Sequence, residues 1–307
     1  MRSRDFKQVD VFTDAPYLGN PLAVVLDGGD LDDEAMQRFA RWTNLSETTF
    51  LLPPTDPAAD YRVRIFTPGG ELAFAGHPTL GSCHAWLAAG HTPRQRGEIV
   101  QQCQAGLVRI RKIGSPDGGL AFAAPPLRRA SPSPTVLAKV AAALQLKSHQ
   151  ILAAQTLDNG TVWLGLLLAD ADLVLALSPD HRQLREIGLK VGVAGITSAQ
   201  DTALLIGRSN REARAFTGAA SRARAEAQLE VRGFAAPIGV DEDPVTGSLN
   251  ASLAQWLIAD DRLPERYVAA QGQCIGRDGR VHIERDDDGQ VWVGGRSVTC
   301  IQGSVTL

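Results

Sequence analysis

One motif occurs twice in this chain, and the repetition restricts the fold more than any other feature. Residues 76–82 run Gly76-His77-Pro78-Thr79-Leu80-Gly81-Ser82, and a second stretch runs Asp243-Pro244-Val245-Thr246-Gly247-Ser248. With Pro78 laid over Pro244, His77 falls on Asp243, Gly81 on Gly247, Ser82 on Ser248 and Ala85 on Ala251. Upstream, Arg64-Ile65-Phe66 answers Arg232-Gly233-Phe234. A chain built this way is a duplicated one. Each copy is expected as a strand, a short loop with Pro and Gly, and an apolar helical run over residues 83–89 or 249–259. A helix start leaves backbone N–H groups without intrahelical acceptors, and with the macrodipole these favour an anion. Two such starts facing one cleft would hold the carboxylate of a small acid, with His77 and Asp243 reaching its other side.

The length of 307 residues suggests two domains, placed here at 1–126 and 127–296. The Pro-, Ser- and Arg-rich stretch 125–134 serves as the linker. With 44% apolar residues the chain buries an ample core without disulfides. A formal net charge of −3, with no basic block, points away from nucleic acid and anionic membrane as partners. Residues 1–6 lead directly into a polar–apolar alternation, so neither a signal peptide nor a membrane span is expected, and the protein is placed in the cytoplasm. Cys83, Cys103, Cys274 and Cys300 have no C-x-x-C spacing; reduced thiols and no metal are expected.

Alternation predicts strands over residues 9–13, 22–26, 45–52 and 61–67, a hairpin over 100–111 around Gly106, and a strand over 120–123. Further strands are expected within 151–168 and over 191–196, 202–206, 229–234, 280–283, 290–295 and 297–301. Helical spacing covers 34–42, with Asp32 or Asp33 as cap, and 136–144 and 179–187. Strands outnumber helices, and each half has one principal buried helix.

Four stretches carry a family resemblance: Phe12-Thr13 with 19–25; Leu45-Ser46-Glu47-Thr48-Thr49-Phe50; Arg64-Ile65-Phe66-Thr67-Pro68 continuing to 76–81; and Glu242-Asp243-Pro244-Val245-Thr246-Gly247-Ser248. Together they resemble the PhzF-like phenazine-biosynthesis isomerases, from the first strand to the last. The resemblance implies an α+β fold of the diaminopimelate epimerase type: two pseudo-symmetric domains, each a curled, mostly antiparallel sheet around a central helix, with the active site between them. It also implies that residues 297–307 return to the first domain, and that the protein forms a homodimer, as the family often does. The implied reaction is a cofactor-free isomerisation, like that of trans-2,3-dihydro-3-hydroxyanthranilate, in which a glutamate moves a proton between carbons. That glutamate is Glu47; His77 and Asp243 match the other catalytic positions, and Gly76, Gly247 and Ser248 match the substrate-holding loops.

The residues suit this chemistry in their own right. Moving a proton along a conjugated acid needs one group that takes it and gives it back, with a pKa raised by burial. On its own, though, Glu47 also suits a solvated strand edge, His77 a backbone-bonded helix start, and Asp243 an N-cap. Two departures stand out. Asn250 falls in Ser248-Leu249-Asn250, where phenazine-pathway isomerases typically carry Ser-Ala-His, so the substrate is expected to differ. Epimerases of this fold use one cysteine per half, and neither motif contains one, which disfavours a two-thiol mechanism. A racemase or epimerase using Glu47 with Asp243 or His77 remains open at this point, as does a non-catalytic protein that binds a small acid.

Overall fold

The computed structural model describes residues 1–114, 118–197 and 227–307. In the first half, Ser3–Val11 pairs antiparallel with Asn20–Val25, which runs parallel to Glu47–Leu52. Glu47–Leu52 is antiparallel to Tyr61–Thr67, and that strand is parallel to Glu98–Cys103. Two antiparallel rungs close the half, through Gly106–Lys112 to Leu120–Ala123.

The second half repeats this order of directions. Ile151–Asp158 is antiparallel to Val162–Leu168, which is parallel to Val191–Ile196. Leu229–Ala235 follows antiparallel, Arg266–Gln271 parallel, and Gly279–Arg285 and Val291–Gly295 antiparallel. The duplication seen in two short motifs therefore extends through the whole sheet. Two pseudo-symmetric domains of α+β type result, each a mostly antiparallel sheet curled around one helix.

The halves are joined edge to edge where Leu120–Ala123 pairs with Val291–Gly295. The last strand, Ser297–Thr306, returns to pair antiparallel with Ser3–Val11 along its length. Each parallel pair needs a crossover, and the sequence supplies helices for it. Asp33–Thr43 links Asn20–Val25 to Glu47–Leu52, with Asp32 accepting from the Ala35 N–H as its cap.

The two central helices, Gly76–Ala88 and Gly247–Ala259, are apolar on nearly every side and lie inside their sheets. Leu80, Cys83, Ala85, Leu249, Leu253 and Leu257 are all fully buried. Each leucine removed from water in this way contributes about 2 kcal/mol.

Both central helices start earlier than the sequence suggests. Gly and Pro mark residues 76–82 as a loop, yet helix begins at Gly76 and takes Pro78 into its first turn, where the missing N–H has no acceptor to lose. The register of the repeat also changes. Thr79 Oγ1 donates to the Ala75 carbonyl and accepts from Gln101 Nε2; Asn250 Nδ2 donates to the Thr246 carbonyl and to Gln271 Oε1. These contacts align Ala75 with Thr246, Gly76 with Gly247, His77 with Ser248 and Thr79 with Asn250. His77 therefore does not correspond to Asp243. The proline overlay matched small residues that recur on any tightly packed helix, whereas the helix start sets the true correspondence.

Several short elements escaped the pattern. They are the strands Gly70–Leu72, Val240–Asp243 and Arg266–Gln271 and the helix Ala171–Ala176. Within the expected linker, Arg128–Ala130 forms a strand on Ile151–Asp158. The strand expected at 202–206 lies outside the described residues. Among the described residues, no helix is long and apolar enough to cross a membrane.

Candidate active site

The two central helices meet at their N-termini, backbone against backbone. A Cβ added at Gly247 would sit 2.9 Å from the Gly76 Cα, and one added at Gly76 would meet the Phe122 ring at 2.8 Å. Glycine is thus required at both positions by the approach itself. Both residues are buried. The remaining polar residues of the two motifs are gathered around this contact.

Glu47 stands at the entrance of Glu47–Leu52, and His77 is the second residue of the first central helix. Glu47 Oε2 lies 3.3 Å from His77 Nε2, but neither atom has a hydrogen-bond partner among the described residues. Both side chains are largely buried, at 15% and 6% exposure. Desolvation, reinforced by the nearby Asp243 charge, pushes the Glu47 carboxyl up to about 8; Ser46 and Lys190 oppose the shift. Desolvation likewise lowers His77 to about 3. The pair is therefore mainly neutral near pH 7. Glu47 is close to its midpoint, and His77 is an uncharged imidazole.

Asp243 closes the strand Val240–Asp243 and is not the helix cap; that position belongs to Thr246. Its Oδ1 accepts from Asn20 Nδ2 at 2.9 Å and its Oδ2 from Thr246 Oγ1 at 2.6 Å. Desolvation raises its pKa, and these two hydrogen bonds work against the rise. Asn20 also donates to the Val245 carbonyl and accepts from Ser46 Oγ at 3.4 Å. Asn20 thereby ties the residue preceding Glu47 to the loop that carries Asp243.

Ser248 is half-buried at the start of the second central helix. Its Oγ accepts from Trp163 Nε1 at 3.1 Å and its carbonyl from Asn159 Nδ2. Gln271 fastens the same turn, accepting from the Thr246 N–H and donating to the Asp243 carbonyl. Asn250 is 1% exposed, and its amide holds this turn together. Cys83 lies deep in the core, where burial pushes its thiol up to about 12 and its hydrogen-bond neighbour is Tyr61.

The structure brings together Glu47, His77 and Asp243 with the starts of both central helices. Sequence reasoning gave no role to Asn20, Gln271, Trp163 or Lys190. Asn20 stood within a family stretch but fell ahead of the strand expected at 22–26, where a polar residue is ordinary; the strand in fact begins at Asn20. Lys190 carries no local signal, because only strand register places it.

A duplicated α+β scaffold, each sheet curled around one helix and with a buried carboxyl beside the starts of both helices, is the architecture that the chain shares with the isomerases and epimerases it resembles. The chain belongs to the PhzC-PhzF family, described as phenazine biosynthesis-like protein, which it matches over residues 9–303. It is 34% identical to antisense-enhancing sequence 1 of Schizosaccharomyces pombe, covering 99% of both chains. It is 32% identical to the trans-2,3-dihydro-3-hydroxyanthranilate isomerase of Pseudomonas chlororaphis, covering 97% of this chain and 98% of that one. The crystal structure of a PhzF-family phenazine biosynthesis protein from Bacillus anthracis superposes with a TM-score of 0.80 at 21% identity, covering 100% of both chains. The protein is an isomerase of this family.

Proposed function

We propose that the protein is a cofactor-independent isomerase acting on a small carboxylic acid related to trans-2,3-dihydro-3-hydroxyanthranilate, with Glu47 carrying the proton. The observation that bears most weight is the Glu47 carboxyl, buried 3.3 Å from His77 and raised to about 8. A group with its midpoint near the working pH is populated in both forms, so it takes a proton from carbon and returns one with little penalty.

In this reading ionised Glu47 removes a proton from an activated carbon. The electron pair left behind delocalises along the conjugated system toward the carboxylate. The same carboxyl then delivers the proton to another carbon of that system, so the net change is a shift of one proton and the double bonds. His77, kept neutral by burial, gives or accepts a hydrogen bond as charge develops. Asp243, fixed by Asn20 and Thr246, orients the substrate's polar groups. The N–H groups at Gly76, Gly247 and Ser248 bind substrate oxygen.

The reading places the site between domains 1–126 and 127–296, in a cytoplasmic homodimer. Size-exclusion chromatography with light scattering checks the assembly. The chemistry is tested by incubating the protein with trans-2,3-dihydro-3-hydroxyanthranilate in deuterated water, followed by proton NMR, beside Glu47→Gln. Isomerisation by the wild type and none by the variant is expected. A folded Glu47→Gln protein with full turnover contradicts the role of Glu47. An inert wild type removes this acid as substrate.

A further inference from the structure

Strand register assigns Glu47 a counterpart in the second half. Arg64 pairs with Phe50 and its repeat partner Arg232 pairs with Val193. Counting back by the same interval from Phe50 and Val193 arrives at Glu47 and Lys190. Side-chain alternation agrees. Glu47 shares its face with Thr49, whose hydroxyl accepts from Ser82 of the first central helix. Lys190 shares its face with Gly192, where an added Cβ would lie 2.2 Å from Leu249 Cδ1 of the second central helix. The two residues thus occupy equivalent places, each on the inner face of its sheet beside a helix start.

Lys190 is half-buried, with its Nζ 5.7 Å from the centre of the Trp163 ring. The indole N–H of Trp163 is bonded to Ser248, the second residue of the second central helix. Burial lowers the Lys190 pKa, while the charges of Glu47 and Asp243 raise it, so all three groups share one electrostatic neighbourhood. Among the described residues the ammonium forms no ion pair and no hydrogen bond. A cation so placed is available to an incoming anion. A cation serves such a site, because Glu47, whenever it is ionised, and Asp243 repel a substrate carboxylate at short range in buried surroundings.

We infer that Lys190 is the carboxylate anchor of the site, binding the substrate's acid group against Trp163 and Ser248 and selecting anionic over neutral ligands. This rests on the proposed isomerase reading and deepens it. The repeat puts the proton carrier on one half and the substrate's counter-charge on the other. Lys190 positions the substrate and takes no part in the proton shift.

Anthranilate and anthranilamide test the assignment, since they differ only in carboxylate against carboxamide. Calorimetric titration of the wild type is expected to favour anthranilate by roughly 10-fold or more, the effect of one charge-assisted contact. In Lys190→Met, with Lys190→Gln as second variant, the two ligands are expected to bind with equal, weak affinity, while Lys190→Arg keeps the preference. Both neutral variants retaining the wild-type preference overturns the proposal, as does a wild type that binds neither ligand or does not discriminate. The isomerase reading fails separately: these binding results with no proton shift in deuterated water leave the anchor standing and remove the reaction.

Discussion

The halves of this molecule share two devices and treat them differently. In the first, Arg64 grips Glu71 through Nε and Nη2 at 2.7 and 2.6 Å and lies 5.0 Å over Phe66. In the second, Arg232 grips Glu242 through the same atoms at 3.0 and 2.8 Å and lies 5.1 Å over Phe234. The clamp is preserved because both copies must pin a short hairpin arm in front of a central helix. Beside the helix starts the copies diverge: Glu47 in one, Lys190 in the other. On the proposed reading, duplication preserved what holds the backbone and changed what meets the substrate, and two equivalent positions carry one proton carrier and one cation instead of a matched pair of bases.

The largest effect should come from the divergent position. Glu47→Gln keeps the shape and removes the titrating group, so turnover should fall by roughly 10²–10⁴-fold. If Lys190→Met fell as far in kcat, the division of labour between the halves would be wrong; a change mainly in KM sharpens it.

The clamps come next. Arg232 and Glu242 are each only 6% exposed, and Arg232 also donates to the Val174 and Leu177 carbonyls. Arg232→Met leaves a buried carboxylate unpaired and should cost about 3–5 kcal/mol in urea unfolding. Arg64→Met should cost about 1 kcal/mol, since Glu71 is 28% exposed and its charge stays hydrated. Equal losses would contradict the contrast in burial.

At the helix junction the halves should behave alike. Gly76→Ala and Gly247→Ala each force a Cβ against backbone or a packed ring and should cost roughly 1–3 kcal/mol. Gly303→Ala, with nothing within 4 Å of the added atom, should be close to neutral.

The pH dependence of stability gives the smallest effect. The Glu47 pKa is raised on folding from 4.5 to about 8. Its stabilising contribution is complete below the unfolded value and is lost as pH rises through about 8. Glu47→Gln should therefore gain on the wild type as pH rises from about 4.5 to 8, and the last part of that gain, about 1 kcal/mol between pH 7 and 9, is read in thermal unfolding. His77 runs the opposite way. Lowered to about 3, it contributes above 6.5 and loses that contribution as pH falls through 3.

The sequence shows the scaffold more clearly than the site. Alternation locates most strands because half-buried sheets require it, and the repeated motif foretells the pseudo-symmetry. Helix starts were misplaced because glycine and proline mark turns locally, while here helix-on-helix contact demands Gly76 and Gly247. Glu47, His77 and Asp243 were found through family resemblance. Their convergence could not be read from spacing, since it depends on two helices meeting across the duplicated fold. Asn250 looked like a change in the cleft, yet its amide is spent on holding a turn. Lys190 was missed because its place opposite Glu47 exists only after strand pairing is fixed.

The most direct test is the proton affinity of Glu47 itself. With carboxyl-labelled glutamate, carbon-13 NMR of the wild type minus Glu47→Gln isolates one resonance, followed from pH 4 to 10. A midpoint about 8 is expected, moving higher in Lys190→Met as the neighbouring cation is removed. A midpoint between about 4 and 5, unchanged by Lys190→Met, would show an ordinary solvated carboxylate and contradict the account.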